Sequence, residues 1–476
     1  MDPAVRRSQM ALPRRVEVVA GLSVAIDLGL GQPAEHMLRT AIIACRLADR
    51  LGLSRTQRDT TYYTALIMWI GCNADSQEYA RWFGDDIAVR RDAYLVDWTG
   101  MPFMRFLLGN VARGKPTAQR LLTMGAMFRD ARGQLGALMH SHCLSAAALA
   151  DHIGLPPDVE RAVGFTFERF DGAGLPRSCR GDEIPIEMRI AQLADTAEVH
   201  HRMFGLDAAV AMARARRGGH FDPAVVDALV EDPDEVFAPA AGGDAWSAAI
   251  AQAPDAETRL DDDGLDRLVC AIGDFADLKC PFALGHSRAV AALAGGAGEL
   301  VGLEATEVRA LRRAGHLHDI GKLGVSSQIW SKRSELTVSE WERIRIHPYL
   351  TDRALSRITG LERERTYART HHEHLDGSGY PLGSLFDPEC TAAVLTVAGH
   401  RAARARADDG LTPREREVLG HVARGLSNRE IAAKLVLSEK TVRNHVERTY
   451  AKIGATNRVG ASLYALQHGL ASPPAP

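Results

Sequence analysis

The seven cysteines of this 476-residue chain (Cys45, Cys72, Cys143, Cys179, Cys270, Cys280 and Cys390) form no CxxC pair. Thiols scattered in this way speak against a disulfide scaffold and suit small buried residues in a reducing cytoplasm. Long hydrophobic runs are missing too. The most apolar stretch, Ala65–Cys72, falls far short of a membrane span. The opening MDPAVRRSQMALPRR is basic, but the apolar stretch after it is broken by Glu17 and Asp27, so it makes a poor signal peptide. Neither charge sign dominates: 57 Lys and Arg stand against 60 Asp and Glu, a net charge of −3 that says little until the chain is divided. Runs alternating with period two are scarce. The expectation is a soluble, cytoplasmic, all-α protein without membrane contact.

What the chain does contain is an internal repeat. At an offset of 250 residues, Glu35–Arg39 (EHMLR) maps onto Gly285–Ala289 (GHSRA), Leu51-Gly52-Leu53 onto Val301-Gly302-Leu303, and Ala65–Cys72 onto Gly315–Lys322. At an offset of 205, His142 matches His347 and Glu168–Pro176 (ERFDGAGLP) matches Glu373–Pro381 (EHLDGSGYP). Phe221-Asp222-Pro223 then matches Phe386-Asp387-Pro388, an offset of 165. Copy one therefore carries about 45 extra residues between Cys72 and His142, and copy two lacks about 40 between Pro381 and Phe386. Apolar residues at three- and four-residue spacing in Met37–Leu51, Ala289–Leu300 and Val308–His318 read as helices. The expected division is a flexible start at 1–15, copy one at 16–236, a linker around a short helix at Trp246 (237–262), copy two at 263–400, a linker at 401–410 and a last domain at 411–472.

Copy two concentrates metal-binding side chains: His286, His318-Asp319, His347 and His371-His372, with Lys322 one turn after the His-Asp pair. Imidazole and carboxylate together suit iron, manganese or zinc, and helices can project them into a bundle core. Two such cations would clamp a phosphodiester, with Lys322 neutralising phosphate charge. HLHDIGK (His316–Lys322), LTVSEWERIRIHP (Leu336–Pro348) and HHEHLDGSGYP (His371–Pro381) resemble the motifs of HD-GYP domains, the cyclic di-GMP phosphodiesterase branch of the HD phosphohydrolases. The resemblance implies an α-helical fold, a bimetallic site made by His286, His318, Asp319, His347, His371 and His372, catalytic roles for Asp319 and Lys322, and a cyclic dinucleotide as ligand. Two departures stand out. The family closes its site with an Asp about 19 residues after the GYP; the matching residue of copy one is Asp195, but in copy two it falls in the missing stretch, and an ungapped count reaches His400. The family's optional third-metal Glu is Phe282 here.

Copy one is degenerate. Met68-Trp69 replaces the His-Asp pair, Thr166-Phe167 the double His, and Leu175 the Tyr of GYP; His36, His142 and Asp195 survive. Apolar residues at ligand positions point to a filled core. Since each copy holds what the other lost, a further expectation is that the copies pack together and Asp195 completes the site of copy two.

From Arg401 onward thirteen Lys and Arg face seven Asp and Glu. Within this basic tail, Thr412-Pro413-Arg414-Glu415 and Ser427-Asn428-Arg429-Glu430 are capping boxes, Ser438 is a good N-cap, and a fourth helix is expected to run to Gly469. In the third helix Val442, Val446, Thr449 and Ile453 should face the core. Lys440, Thr441, Arg443, Asn444 and Arg448 are the candidates to touch double-stranded DNA. The tail resembles the LuxR-type helix-turn-helix domain across LTPREREVL (Leu411–Leu419), GLSNREIAAKL (Gly425–Leu435), SEKTVRNHV (Ser438–Val446) and KIGATNR (Lys452–Arg458). That resemblance implies homodimers on two half-sites. The leading expectation is a transcription regulator whose duplicated body senses a signal or dimerises; the rival is an active phosphodiesterase that also binds DNA.

Overall fold

The computed structural model describes residues 12–113, 116–373, 379–380, 393–394, 397, 411–423, 426–435, 437–453, 455, 461 and 464–465. Among them every regular element is a helix; the only bridges are the isolated pairs Arg14–Arg259 and Arg217–Phe221. The chain divides into two compact units, residues 1–398 and 399–476.

Both copies of the repeat lie in the first unit and share one hydrophobic core. Copy one begins with α1 (Arg15–Leu30), α2 (His36–Arg50) and α3 (Arg55–Ile67), then a 3-10 turn at Ile70–Asn73. Its extra length forms α4 (Ser76–Phe83), α5 (Asp86–Ala93), α6 (Gly100–Asn110) and α7 (Thr117–Arg129). There follow α8 (Ala131–His152), α9 (Pro157–Val163), α10 (Ile186–Phe204), α11 (Leu206–Ala215), α12 (Pro223–Glu231), α13 (Pro233–Ala241) and α14 (Ala245–Gln252). Copy two repeats the scheme with α15 (Asp262–Asp277), α16 (His286–Leu300), α17 (Ala305–Leu317) and a 3-10 turn at Ile320–Gly324. After a short α18 (Ser327–Trp330) come α19 (Val338–Arg345), α20 (His347–Leu355) and α21 (Glu362–Arg369).

The repeat is visible in how the elements start and stop. Asp27, near the end of α1, accepts hydrogen bonds from the backbone N–H groups of His36 and Met37, both at 3.0 Å. Asp277, 250 residues later, accepts from Ser287 N at 2.9 Å and Ser287 Oγ at 2.8 Å. Each aspartate satisfies free N–H groups at the start of the helix that carries the first histidine. Gly71 and Gly321 also correspond: a Cβ at either would collide with the carbonyl oxygen of His142 or His347 respectively. Only glycine lets the 3-10 turn approach the third-histidine helix so closely.

Helix α1 is apolar almost all round, and nearly all of it is buried. A helix of that kind belongs inside a core. It packs on α2 and α3 of its own copy and also on α20 and the 320–324 turn of copy two, while α15 of copy two packs on α8 of copy one. Each first helix thus packs on its own copy and also touches the other across their interface. The stretch read as a linker, 237–262, holds the expected helix at Trp246, but it is no loose tether: Trp246 is buried and α14 packs on α2. Nor is all of 1–15 free. Leu260 N donates to Pro13 O and Arg15 N to Thr258 O, at 3.0 and 3.1 Å; residues 1–11 lie outside the described residues, as do the 401–410 linker and the FDP stretch at 386–388.

The second unit contains α22 (Pro413–Ala423), α23 (Asn428–Leu435) and α24 (Glu439–Ile453). Both predicted capping boxes are present: Thr412 N donates to Glu415 at 2.8 Å and Ser427 N to Glu430 at 2.7 Å, with the reciprocal bonds at 3.3 Å. Ser438 accepts from Thr441 N at 3.1 Å. Most of the fourth helix expected to reach Gly469 lies outside the described residues.

Candidate functional site

The structure brings the six predicted ligands of copy two to one place. His286 is the first residue of α16, His318-Asp319 follows α17 at the 3-10 turn, His347 opens α20, and His371-His372 follows α21. They form two clusters, His286–His318–Asp319 and His347–His371–His372, with the potential ligand atoms of each within 4.8 Å of one another. Asp319 stands between the two. Its Oδ2 lies 3.0 Å from His318 Nε2 and 3.3 Å from His286 Nε2, while its Oδ1 lies 3.5 Å from His347 Nε2 and 3.7 Å from His371 Nε2.

The ring orientations are fixed from behind. His318 Nδ1 faces the carbonyl oxygen of Gly315 at 2.8 Å, His347 Nδ1 that of Ile344 at 2.6 Å and His371 Nδ1 that of Ala368 at 2.6 Å. A Nδ1–H donated to a backbone carbonyl leaves Nε2 as the lone-pair atom, the tautomer a metal ligand needs. Burial pushes the pKa of His347 down to about 4 and that of His371 to about 2, so both rings are neutral near pH 7. Their Nε2 atoms nevertheless face each other at 3.0 Å. Two lone pairs at that distance repel unless a cation lies between or beside them. Asp319 tells the same story: it is buried, and among the described residues its Oδ1 has no hydrogen-bond donor. Burial would raise its pKa, but His286, His318 and the Lys322 ammonium hold it well below the usual carboxylate range. The donor set therefore fits a pair of divalent cations.

Several supporting contacts escaped the sequence reading. Lys322 pairs with Asp319 and lies 5.4 Å above the ring of Trp330, whose own ring is 6.0 Å from His347. Tyr380, the Tyr of GYP, stacks on His372 at 4.6 Å, and the Arg345 guanidinium lies 5.9 Å from the Tyr380 ring. Trp330 lies outside the quoted motifs, and Arg345 lies within Leu336–Pro348 but was given no role there. Asp277 did carry one, since it stands 250 residues after the capping Asp27.

Copy one shows what happens when the ligands go. Trp69, at the position of Asp319, donates its indole N–H to Asp195 Oδ2 at 3.0 Å. Asp195 Oδ1 lies 3.0 Å from His36 Nε2 and accepts from Tyr94 OH at 3.2 Å. His36 Nδ1 meets Glu198 at 2.6 Å. Burial would lower the pKa of His36, but Glu198 and Asp195 outweigh it and push it up to about 10. Trp69, Phe167 and His142 pack edge to face around the pair. A protonated imidazole thus supplies the positive charge here and a neutral indole a further N–H donor, and the adjoining cavity, about 20 Å³, has room for no more than a water. The copies do pack together, yet Asp195 does not reach across. Both of its oxygens are engaged by donors of copy one.

In the second unit Val442, Val446 and Thr449 are buried and Ile453 packs against the same core, as expected. Lys440, Arg443, Asn444 and Arg448 are exposed along the other side of α24. Thr441 is half-buried and its hydroxyl lies 2.7 Å from Ser438 Oγ, at the helix entry. Lys452 pairs with Glu415 at 2.7 Å, fastening α24 to α22.

Comparison with known proteins agrees with this geometry. Residues 124–225 and 271–387 match the profile of the HD domain, and residues 409–465 that of the luxR family of bacterial regulatory proteins. The chain is 30% identical over 373 residues to the 3'3'-cGAMP-specific phosphodiesterase 3 of Vibrio cholerae, covering 77% of this chain and 81% of that protein. The chain belongs to the HD-GYP branch of the HD-domain family. A crystal structure of a cyclic GMP-AMP-specific phosphodiesterase from V. cholerae superposes on this HD-GYP chain with a TM-score of 0.59 at 25% identity, over 82% of this chain and 98% of that one. The chain is 37% identical over 91 residues to the DNA-binding transcriptional activator DevR/DosR of Mycobacterium tuberculosis, covering 19% of this chain and 42% of that one. A LuxR-type DNA-binding domain is thus fused to an HD-GYP body, and no described helix is long and apolar enough to cross a membrane.

Proposed function

We propose that this protein is a transcription regulator whose second HD-GYP copy binds divalent cations and, through them, a 3'3'-linked cyclic dinucleotide. The observation that carries this reading is Asp319, whose two carboxylate oxygens each face a separate cluster of histidines. His286, His318 and Asp319 would hold one cation, and His347, His371 and His372 the other, with Asp319 shared. Imidazole with carboxylate suits iron, manganese or zinc. When bound, such a pair supplies Lewis acidity toward a phosphodiester. The chain's own residues do the rest: the carbonyls of Gly315, Ile344 and Ala368 aim the imidazoles, and Lys322 offsets anionic charge beside Asp319. Lys440, Arg443, Asn444 and Arg448 contact DNA, Thr441 sets the start of the recognition helix, and the protein works as a homodimer on two half-sites.

A second reading, that the body also hydrolyses its ligand, is favoured by the complete histidine set and by Lys322 on Asp319. Metal analysis of the full-length protein, cyclic-dinucleotide binding and turnover separate the readings. Bound metal with binding but no turnover supports a sensor. Turnover of 3'3'-cGAMP or cyclic di-GMP that Asp319→Ala abolishes establishes the enzyme, and neither metal nor nucleotide sinks both.

A further inference from the structure

The extra segment of copy one reaches copy two at a buried carboxylate, with Gln77 making further contacts beside it. Asp86, in the first turn of α5, is fully buried. Its Oδ2 accepts from Lys279 Nζ at 2.7 Å, and Lys279 is itself only 1% exposed. Its Oδ1 accepts from Ser326 Oγ at 2.7 Å and from Ser327 N at 2.8 Å. Arg90, one turn further along α5, lies 3.6 Å from Oδ2 and donates to the Cys72 carbonyl oxygen at 2.7 Å. From α4, Gln77 donates to the Lys279 carbonyl oxygen and accepts from Ser331 Oγ, both at 3.1 Å.

The partners of Asp86 are placed tellingly. Lys279 stands seven residues before His286, and Ser326 four residues after Lys322. The two gripped loops are those that deliver His286 and the Asp319–Lys322 pair. A buried ion pair is poor value as a stabiliser, because an apolar replacement of similar shape often does as well; its best-attested use is to fix register. Burial alone would raise the pKa of Asp86, but Lys279 and Arg90 hold its carboxyl below the ordinary range and therefore charged. Nothing in the metal chemistry uses Asp86, Lys279 or Ser326.

We propose that Asp86 is a positioning residue: the insert of the degenerate copy holds, through this carboxylate, the two loops of copy two that carry His286 and Asp319. The value of that placement rests on the metal-binding reading above, whereas the grip itself does not.

The test uses the full-length chain freed of metal, with amide hydrogen exchange read by segment, followed by titration with Mn²⁺. Lys279→Met should speed exchange about tenfold in residues 278–286, Ser326→Ala should do so in 320–327, and Asp86→Asn in both. Exchange in α2, α3 and residues 411–453 should stay at wild-type rates. Mn²⁺ affinity of Asp86→Asn should fall on the order of tenfold, the usual cost of loosening a support behind metal ligands. Should Asp86→Asn fail to fold, the two single-loop variants carry the test alone. Wild-type exchange in both loops, or a uniform rise across the whole first unit, overturns the proposal. So does unchanged Mn²⁺ affinity in a variant whose loops have loosened. Wild-type protein that takes up no Mn²⁺ defeats the metal reading instead, and the exchange rates still decide whether Asp86 grips the loops.

Discussion

Trp69 donates its indole N–H to Asp195 at 3.0 Å, and this bond joins the residue at the position of a lost ligand to a ligand that survived. In copy one a packed, hydrogen-bonded core thus stands where copy two gathers its histidines and Asp319. Asp195→Ala should therefore cost stability, about 3 kcal/mol for stripping one partner from a buried charged cluster, while leaving the metal content of the protein unchanged. Calorimetry and metal analysis of the same preparation check both halves; a loss of metal would restore the idea that Asp195 serves copy two.

The same cluster predicts a pH dependence. His36 is raised to about 10 in the folded state from an ordinary 6.5, so its stabilisation is complete below pH 6.5 and is lost as pH climbs toward 10. Glu198 is held at about 2 against an ordinary 4.5, so its share is complete above pH 4.5 and is lost as pH falls toward 2. Urea midpoints of wild type and His36→Gln should be furthest apart near pH 6 and draw together by pH 10. Parallel curves over that range would mean that His36 is neutral.

Metal removal should be felt by the first unit only. Without cations, the facing Nε2 atoms of His347 and His371 repel, and native-state binding at a hundredfold excess over Kd is worth about 2.7 kcal/mol. Chelation should lower the unfolding temperature of the HD-GYP body by roughly 5 °C. Re-addition of Mn²⁺ should reverse the change, and Asp319→Ala should be insensitive to either treatment.

Gly321→Ala tests the tight seat of the His-Asp turn. The added Cβ would meet the backbone carbonyl of His347 and the backbone nitrogen of Thr351, neither of which can swing aside. A loss of about 1–3 kcal/mol in chemical denaturation is expected, together with weaker metal uptake, since His347 must shift.

On the DNA side, Arg443→Ala should weaken binding to a selected operator by about 1–3 kcal/mol and leave binding to random DNA nearly unchanged. Equal loss on both would make Arg443 a phosphate contact.

Much of this was legible in the sequence because its signals are local. Capping boxes at Thr412 and Ser427 act over three residues, and the His-Asp, His-Pro and His-His motifs name ligands wherever the helices end up. The offset of 250 residues likewise predicted paired helices. What stayed hidden depends on contacts between distant segments. Nothing in the composition of 237–262 announces that Trp246 will be buried against α2, and only the folded copy one shows that Asp195 already has three partners of its own. Asp86 was invisible for the same reason: its partners lie 193 and 240 residues away.

The contact of each first helix with the other copy also bears on how this body can be handled. A polypeptide cut at residue 253 would give two fragments, each missing the wall that the other supplies. Expressed singly, the later fragment would show α20 and the 320–324 turn bare to water where α1 should lie, and its aggregation would say nothing about its chemistry. Expressed together, the fragments should reassemble. Duplication has, in effect, let one half lose the histidine cluster without being free to leave.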